Sequence, residues 1–545
     1  MSSPISPEKM KNSTARAPEL SFPATIPALI AHSADHFAGN DFVVTVERTY
    51  TFQDAADASK VMAKRLIAEG IGKGTRVGML CAQTYDWVVT FLAAARIGAF
   101  VIPFSSFYKP AELARGLRHG DVHTLIVPNQ MLGHKMADFI VEALPELESQ
   151  NGRKLRLTDA PYLRSVIILG PDSVPSWATA FDPSAPGDNS VSDTLLANIE
   201  SAVTPSDLVV TIYTSGTTSD PKGVMHSQGS QVRHSGQIAR LTGLTEKERV
   251  YAGMPFFWVG GLTTTLLPAM HSGSAVLCQE RFESGEALDL LEQGNATRII
   301  AWPTLRQRLQ ADPSFPDRDL SRIAAFPSNP NARHNSLGMT ETSGPHTFPP
   351  AKETEGVPLE AFKGSFGAGL PFVQHRVVDP ATGAPLPDGE VGELCVRGYS
   401  LMQGFYKLER EDVFDEDGWY HTGDHGTFRH GCFFFEGRFS EMIKSAGFNV
   451  SAREVETELE RLPNIESSWV FGIPDADREE LVVAGVLPLG EIDLDEVKET
   501  LAARLSSYKV PREIVLFTDD EVPLLATGKP DRRAILEIIR SKLAK

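Results

Sequence analysis

Between about Leu20 and Glu200, short apolar runs alternate with segments of helical periodicity, and that rhythm restricts the fold more than any other feature of the chain. Thr75–Met79, Phe100–Pro103 and Thr124–Val127 are short and apolar enough to be buried strands, while Asp54–Glu69 and Trp87–Ile97 carry helical spacing between them. A strand that is apolar on both faces needs cover on both sides. Helices between successive strands supply it, so a largely parallel sheet of βαβ units is expected. The longest apolar run, Val88–Phe104, is interrupted by Arg96 and Gly98 and reads as a buried helix entering a strand, not as a membrane span.

A second α/β stretch covers roughly Leu208 to Thr342, with strands near Leu208–Tyr213 and Arg298–Ala301. From Gly364 to Arg438 the pattern changes to short strands with frequent glycine, such as Val391–Arg397 and Phe433–Gly437, which indicates a small β-rich subdomain. The C-terminal region carries a helix (Ala452–Arg461), strands (Ser468–Gly472 and Val482–Leu487) and another helix (Leu494–Leu505), as in a compact α+β module. Gly170–Asn189 reads as an irregular surface loop. The expected class is therefore α/β: a large N-terminal domain of two α/β subdomains plus a small β-rich subdomain, then a small α+β C-terminal domain. A chain of 545 residues exceeds what one core supports, which agrees with that division.

Charge and cysteine usage narrow the function. With 52 Lys and Arg against 70 Asp and Glu, the formal net charge is −18, which argues against a broad nucleic-acid-binding or anionic-membrane surface. Cys81, Cys278, Cys395 and Cys432 are far apart and form no C-x-x-C pair, so neither a disulfide framework nor a zinc site is expected, and a reducing cytoplasm fits. Met1–Pro23 is polar and lacks the apolar core of a secretory signal.

The segment richest in chemistry is Tyr213–Val224, YTSGTTSDPKGV, directly after the apolar run Leu208–Ile212. Thr214, Ser215, Thr217, Thr218 and Ser219 bring hydroxyls, Gly216 and Gly223 allow close backbone approach, and Lys222 adds a point charge suited to phosphate. Pro221-Lys222-Gly223 lacks the G-K-[ST] ending of a Walker A loop. A polar surface turn is the plainer alternative, but the string is long and specific enough to favour an anion cradle.

This segment resembles the signature loop of the adenylate-forming superfamily of acyl-CoA synthetases, peptide-synthetase adenylation domains and luciferases, on its acyl-CoA synthetase branch. The resemblance runs from about Phe22 to the end and recurs, in order, at four further places. Gly338-Met339-Thr340-Glu341-Thr342 matches the G-M-T-E core, in which the resemblance gives Thr340 the α-phosphate and Glu341 the Mg²⁺. Tyr420-His421-Thr422-Gly423-Asp424 matches a T-G-D motif, implying that Asp424 accepts hydrogen bonds from the ribose hydroxyls. Gly437-Arg438 and Lys444–Asn449 match the passage between domains: Arg438 would touch the ribose, Ser440 would be the hinge, Lys444 and Asn449 would approach the nucleotide, and Gly447 would line the thiol tunnel. Thr527-Gly528-Lys529 matches the G-K motif, whose Lys529 would reach the carboxylate and α-phosphate during adenylation.

The implied domains are 1–438, a hinge at 439–440, and a mobile 441–545. The implied activity is an ATP-dependent carboxylic acid:CoA ligase using ATP, Mg²⁺ and CoA. Tyr251–Met270 is free of formal charge and would form part of a hydrophobic acid pocket, with Trp258 between acid and CoA channel and Val259, Gly260 and Gly261 beside it, the glycines leaving room for substrate bulk. Plain core is an equal alternative for that run. Three positions depart from the family: the adenine-packing segment is replaced around Phe326–Pro330, Leu337 stands where an aromatic usually stacks on adenine, and Ser440 stands where Asp or Lys is usual. A separate carrier-protein phosphopantetheine in place of CoA, an impaired nucleotide-binding interaction module, and a homodimer all stay open at this point.

Overall fold

The helix Tyr85–Arg96 is buried from Trp87 through Arg96, because it lies between two sheets and not upon one. It ends in a left-handed turn at Gly98 (φ +74°) and feeds the strand Phe100–Pro103, as the interrupted apolar run implies. Arg96 pairs its Nε with Glu200 Oε1 at 2.5 Å and its Nη1 with Ser59 Oγ at 2.9 Å and the Ala56 carbonyl at 3.1 Å. Without such partners a guanidinium only 8% exposed would cost several kcal/mol of desolvation, on the order of the whole stability of a domain. The computed structural model describes residues 17–543, apart from 152–153, 171–172, 183–189, 215–221, 302, 324–335, 350–358, 439–441, 446–447, 476–477, 506–508 and 526–528.

One sheet has eight strands. From Leu208–Thr214 through Phe100–Pro103, Arg76–Met79, Thr124–Pro128 and Ser165–Leu169 to Thr179–Phe181, neighbours run parallel, and Lys222–Ser227 and Gly404–Phe405 extend the other end antiparallel. Thr179–Phe181 lies within the stretch expected to be irregular. It pairs as an edge strand because Trp177 and Phe181, both buried, anchor it to the core. The second sheet has five strands: Arg298–Ile300, Arg249–Ala252, Ala275–Leu277 and Asp41–Val44 in parallel, with Thr49–Thr51 antiparallel at the edge. Inner residues of both sheets, Val77, Val101 and Val210 on one and Val43, Ala252 and Val276 on the other, share one core with the helices between them.

The β-rich part is a six-stranded antiparallel sheet containing Val373–Val378, Gly392–Gly398, Tyr420–Arg429 and Cys432–Arg438. After it comes the small domain, whose strands Met442–Ser445, Phe448–Ser451, Ile465–Asp475 and Glu479–Pro488 are antiparallel, with Glu513–Leu516 parallel at one side. Its helices Ala452–Glu460, Leu494–Arg504 and Arg532–Leu543 cover two hydrophobic clusters of its own. The fold class expected from sequence is the one observed, a mixed α/β architecture with a large N-terminal and a small C-terminal domain. Among the described residues no helix is long and apolar enough to cross a membrane, and all four cysteines are buried and free.

Arg96→Ala should destabilise the large domain by about 3 kcal/mol, since Glu200 and the Ala56 carbonyl would lose their buried partner. Urea unfolding followed by fluorescence would read this, as Trp87 reports from the same core.

Candidate active site

Strands Leu208–Thr214 and Lys222–Ser227 form a hairpin in which Thr214 stands directly opposite Lys222. The connecting residues Ser215, Gly216, Thr217 and Thr218 lie outside the described residues, but both ends of the connection are fixed by this pairing. Lys222 is exposed, with its ammonium 5.1 Å from the centroid of the Phe405 ring.

Gly338–Met339 pairs with Gly344–Pro345, and a single turn, Thr340–Thr342, joins them. Only glycine fits at 338, because a Cβ there would sit 2.7 Å from the Pro345 nitrogen. The turn is held from three sides: the Met402 N–H donates to the Glu341 carbonyl (2.7 Å), His226 Nε2 meets the Thr340 carbonyl (2.9 Å), and the Thr342 hydroxyl donates to the Gly344 carbonyl (2.7 Å). Burial pushes the Glu341 carboxyl above the usual range, with Arg438 and Lys222 pulling it down and Asp424 raising it further. Burial pushes the Tyr420 phenol up as well, and the Glu341 charge beside it adds to the rise.

Asp424 is 1% exposed, and Arg438 Nε donates to its Oδ1 at 2.7 Å. The two residues face each other on paired strands. The turn preceding Asp424 is built by other groups. The Asp424 N–H donates to Thr422 Oγ1 (3.0 Å), the Thr422 hydroxyl donates to the Leu394 carbonyl (2.7 Å), and the Gly423 N–H donates to Glu393 Oε1 (3.0 Å). Lys529 follows the undescribed 526–528, and its carbonyl accepts from the Leu525 N–H at 2.8 Å. Although the residue is exposed, desolvation lowers the pKa of its ammonium and the Arg438 charge lowers it further, so the tail lysine lies within electrostatic reach of the Asp424–Arg438 pair.

Trp258 precedes the short helix Val259–Gly261 and is half-buried, its ring edge-on to Phe257 at 5.1 Å. It lines a cavity of about 990 Å³ walled by Phe107, Phe257 and Phe282 of the large domain and by Trp469 and Leu524 of the small domain. The expectation that Gly260 and Gly261 leave room for substrate is corrected. A Cβ on Gly260 would meet Met254 Sδ at 2.3 Å and one on Gly261 the Pro255 carbonyl at 2.1 Å, so the space beside the two glycines is filled by the chain itself. Leu337 is half-buried against Phe433 and its neighbours, its N–H donating to Thr347 Oγ1 at 2.7 Å. Lys444 and Asn449 face each other across adjacent strands, and Ser440 and Gly447 lie outside the described residues.

Among the described residues, one group, Glu393, Cys395 and His421, brings metal-ligand atoms within 4.8 Å of one another. Its donors are already engaged. Glu393 accepts from Gly423 and lies 2.8 Å from His421 Nδ1, and the Cys395 thiol, 3.5 Å from the same nitrogen, is pushed up to about 12 by burial. It braces the Thr422–Asp424 turn. Sequence reading missed Tyr420 and Glu393 as partners of the site, since neither periodicity nor spacing marks a residue that acts across strands.

Comparison with known proteins supplies the class. A family profile described as AMP-binding enzyme matches residues 30–406, and one described as AMP-binding enzyme C-terminal domain matches 454–529. A putative acyl-CoA synthetase, YngI, of Bacillus subtilis (strain 168) is 28% identical, over 94% of this chain and 97% of its own. A feruloyl-CoA synthase of an Amycolatopsis species is 32% identical, over 86% of this chain and 89% of its own. The crystal structure of ATP-bound MatB from Rhodopseudomonas palustris superimposes with a TM-score of 0.75 at 23% identity, covering 96% of this chain and 100% of that one. The chain belongs to the AMP-binding enzyme family and, within that adenylate-forming superfamily, to the acyl-CoA ligase branch.

A lowered pKa leaves more neutral, nucleophilic amine at a given pH. Lys529 should therefore be acetylated by acetic anhydride at pH 8 ahead of the bulk of the lysines, and Arg438→Ala should slow that labelling by removing a cation that lowers the pKa. Peptide mass spectrometry across a pH series would check both.

Proposed function

We propose that this chain is an ATP-dependent carboxylic acid:CoA ligase that activates a hydrophobic acid as its acyl-adenylate and transfers the acyl group to CoA. The observation that supports this best is convergence: from distant stretches of chain, Arg438, Asp424 and Lys222 come close enough to act on the Glu341 carboxyl, and Arg438 acts on Lys529 as well. Three cations and a cradle of hydroxyls suit a triphosphate. The donors also fit Mg²⁺, because Glu341 is a carboxylate short of compensating charge in its buried setting and the Thr340 hydroxyl adjoins it. When bound, such an ion neutralises charge on the phosphate oxygens.

In this reading the 214–222 hairpin and Lys222 hold the phosphates. Asp424 accepts from the ribose hydroxyls with Arg438 beside it, and Leu337 borders the adenine. The acid's carboxylate oxygen attacks the α-phosphorus and pyrophosphate leaves, while Lys529 stabilises the negative charge that builds on both groups. The domain comprising 441–545 then turns about the 439–440 hinge at Ser440. That movement withdraws Lys529 and presents Gly447, with Lys444 and Asn449 near the adenylate. The CoA sulfur attacks the acyl carbon, a C–S bond forms, and AMP departs. Trp258 divides the acid from the thiol route, and the cavity it lines is that route. The charge-free run Tyr251–Met270, together with the feruloyl-CoA synthase relative, supports an aryl or fatty acid.

The test is pyrophosphate release and thioester formation with ATP, Mg²⁺ and a panel of fatty, aryl and branched acids, with and without CoA. Release without thioester would replace CoA by a carrier-protein phosphopantetheine, and no release with any acid would overturn the ligase reading. Lys529→Ala should lower adenylation by at least about a hundredfold while sparing thioester formation from a supplied acyl-adenylate. Equal loss of both half-reactions would contradict the assigned role.

A further inference from the structure

Behind the Thr340–Thr342 turn runs a line of buried polar side chains that the reaction scheme above does not use. The Thr263 hydroxyl donates to Gln231 Oε1 at 2.6 Å, and Gln231 Nε2 donates to Ser343 Oγ at 3.2 Å. Ser343 Oγ lies 3.1 Å from His226 Nδ1 and 2.9 Å from the Ser400 carbonyl, and His226 Nε2 lies 2.9 Å from the Thr340 carbonyl. Thr263, Gln231, Ser343 and His226 are each 0% exposed. No solvent can replace a broken link.

The protons can be placed. A carbonyl only accepts, so His226 Nε2 carries a hydrogen toward Thr340. The Ser343 hydroxyl has one hydrogen, which the Ser400 carbonyl accepts at 2.9 Å, and the same oxygen meets His226 Nδ1 at 3.1 Å. Thr263 donates to Gln231 and Gln231 to Ser343, so the line runs unbroken from Thr263 to the Thr340 carbonyl with Ser343 as its branch point.

The two ends of the line matter. Thr263 sits in a π-helical turn, Leu262–Leu266, immediately after Trp258–Gly261. The Thr264 and Thr265 hydroxyls both return to the Gly260 carbonyl, at 2.5 and 3.0 Å, which holds that turn wider than an α-helix would. The other end is the carbonyl of the residue next to Glu341. A second contact joins the same pieces: a Cβ on Gly344 would meet Thr264 Cγ2 at 3.1 Å, so the π-turn packs directly on the far side of the Thr340–Thr342 turn. At the corner, Ser343 holds a left-handed backbone (φ +62°), a conformation a serine adopts only when its surroundings fix it.

We propose that Thr263, Gln231, Ser343 and His226 are positioning residues that couple the acid pocket to the nucleotide turn. Resting on the ligase reading, the inference is that an acid lodged against the Trp258–Leu266 segment fixes the π-turn, and that the line passes this to the Thr340 carbonyl. The Thr340 hydroxyl and Glu341 carboxylate are thereby set for Mg·ATP. Linkage makes the effect reciprocal, so each ligand tightens the other by the same factor.

The experiment measures the dissociation constant of Mg²⁺·α,β-methylene ATP, which cannot be adenylated, by calorimetry on the full chain. It is run with and without a saturating amount of the acid turned over fastest in the panel above. The wild-type protein should bind the analogue at least about fivefold more tightly with acid present. Thr263→Val removes the first donor at nearly constant volume, and Ser343→Gly removes the central hydroxyl while suiting the left-handed backbone. Each should bring the factor close to one while changing affinity for the analogue alone by less than about twofold. Thr263→Ser, which keeps the hydroxyl, should recover the coupling. A wild-type factor of one, an undiminished factor in either folded variant, or an equal loss of affinity with and without acid would each overturn the inference. A panel in which no acid is turned over fails the ligase reading itself, and that outcome is separate from these.

Discussion

Asp424 is a carboxylate almost without solvent, and the architecture of the site depends on how its charge is held. The Arg438 guanidinium, directly across from it on a paired strand, makes that burial affordable. The same guanidinium lowers the pKa of Lys529 and pulls down that of Glu341, so one side chain ties the end of the large domain's last sheet to the tail of the small domain. Gathering Arg438, Lys222 and Lys529 about Asp424 and Glu341 puts three cations against two carboxylates, one positive charge in excess. A polyanion relieves that excess, and because the cations are already in place, little reorganisation is left for the moment of reaction.

Much of this was legible in the residues. The βαβ rhythm gave the parallel strands, and an arginine and a glycine inside an apolar run foretold a helix that ends in a turn and becomes a strand. The order of the motifs named Glu341, Asp424 and Lys529 before their proximity was visible. Three-residue strands such as Ala275–Leu277 and Thr179–Phe181 were not legible, because a period of two leaves no trace over so short a span. Nor was the true use of Gly260 and Gly261. Small residues in an apolar run look like room for a ligand, and only the approach of Met254 and the Pro255 carbonyl reveals that the chain needs the space itself.

The helix Gln228–Leu241 inverts the usual expectation that polar residues face water. Gln228, Ser230, Gln231, His234, Ser235 and Gln237 are all buried on it. Each glutamine bridges a different partner: Gln228 accepts from the Ile26 N–H and donates to the Ala95 carbonyl, Gln231 joins Thr263 to Ser343, and Gln237 accepts from the Tyr399 hydroxyl. A sequence window reads this segment as a solvated surface. In the fold it is a hub between the two α/β sheets and the β-rich sheet. Buried amides of this kind add little net stability but admit one register only, which suits an element that aligns the Leu262–Leu266 turn with the Thr340–Thr342 turn.

The four cysteines carry a practical corollary. Each is wholly enclosed, and the thiols of Cys81, Cys278 and Cys395 are all pushed up in pKa, chiefly by burial. Maleimide dyes should therefore find the native exterior inert. Two engineered thiols, one on each rim of the interdomain cavity, could then carry a fluorophore pair without first stripping out the natural sulfurs, and the proposed swivel could be looked for on single molecules.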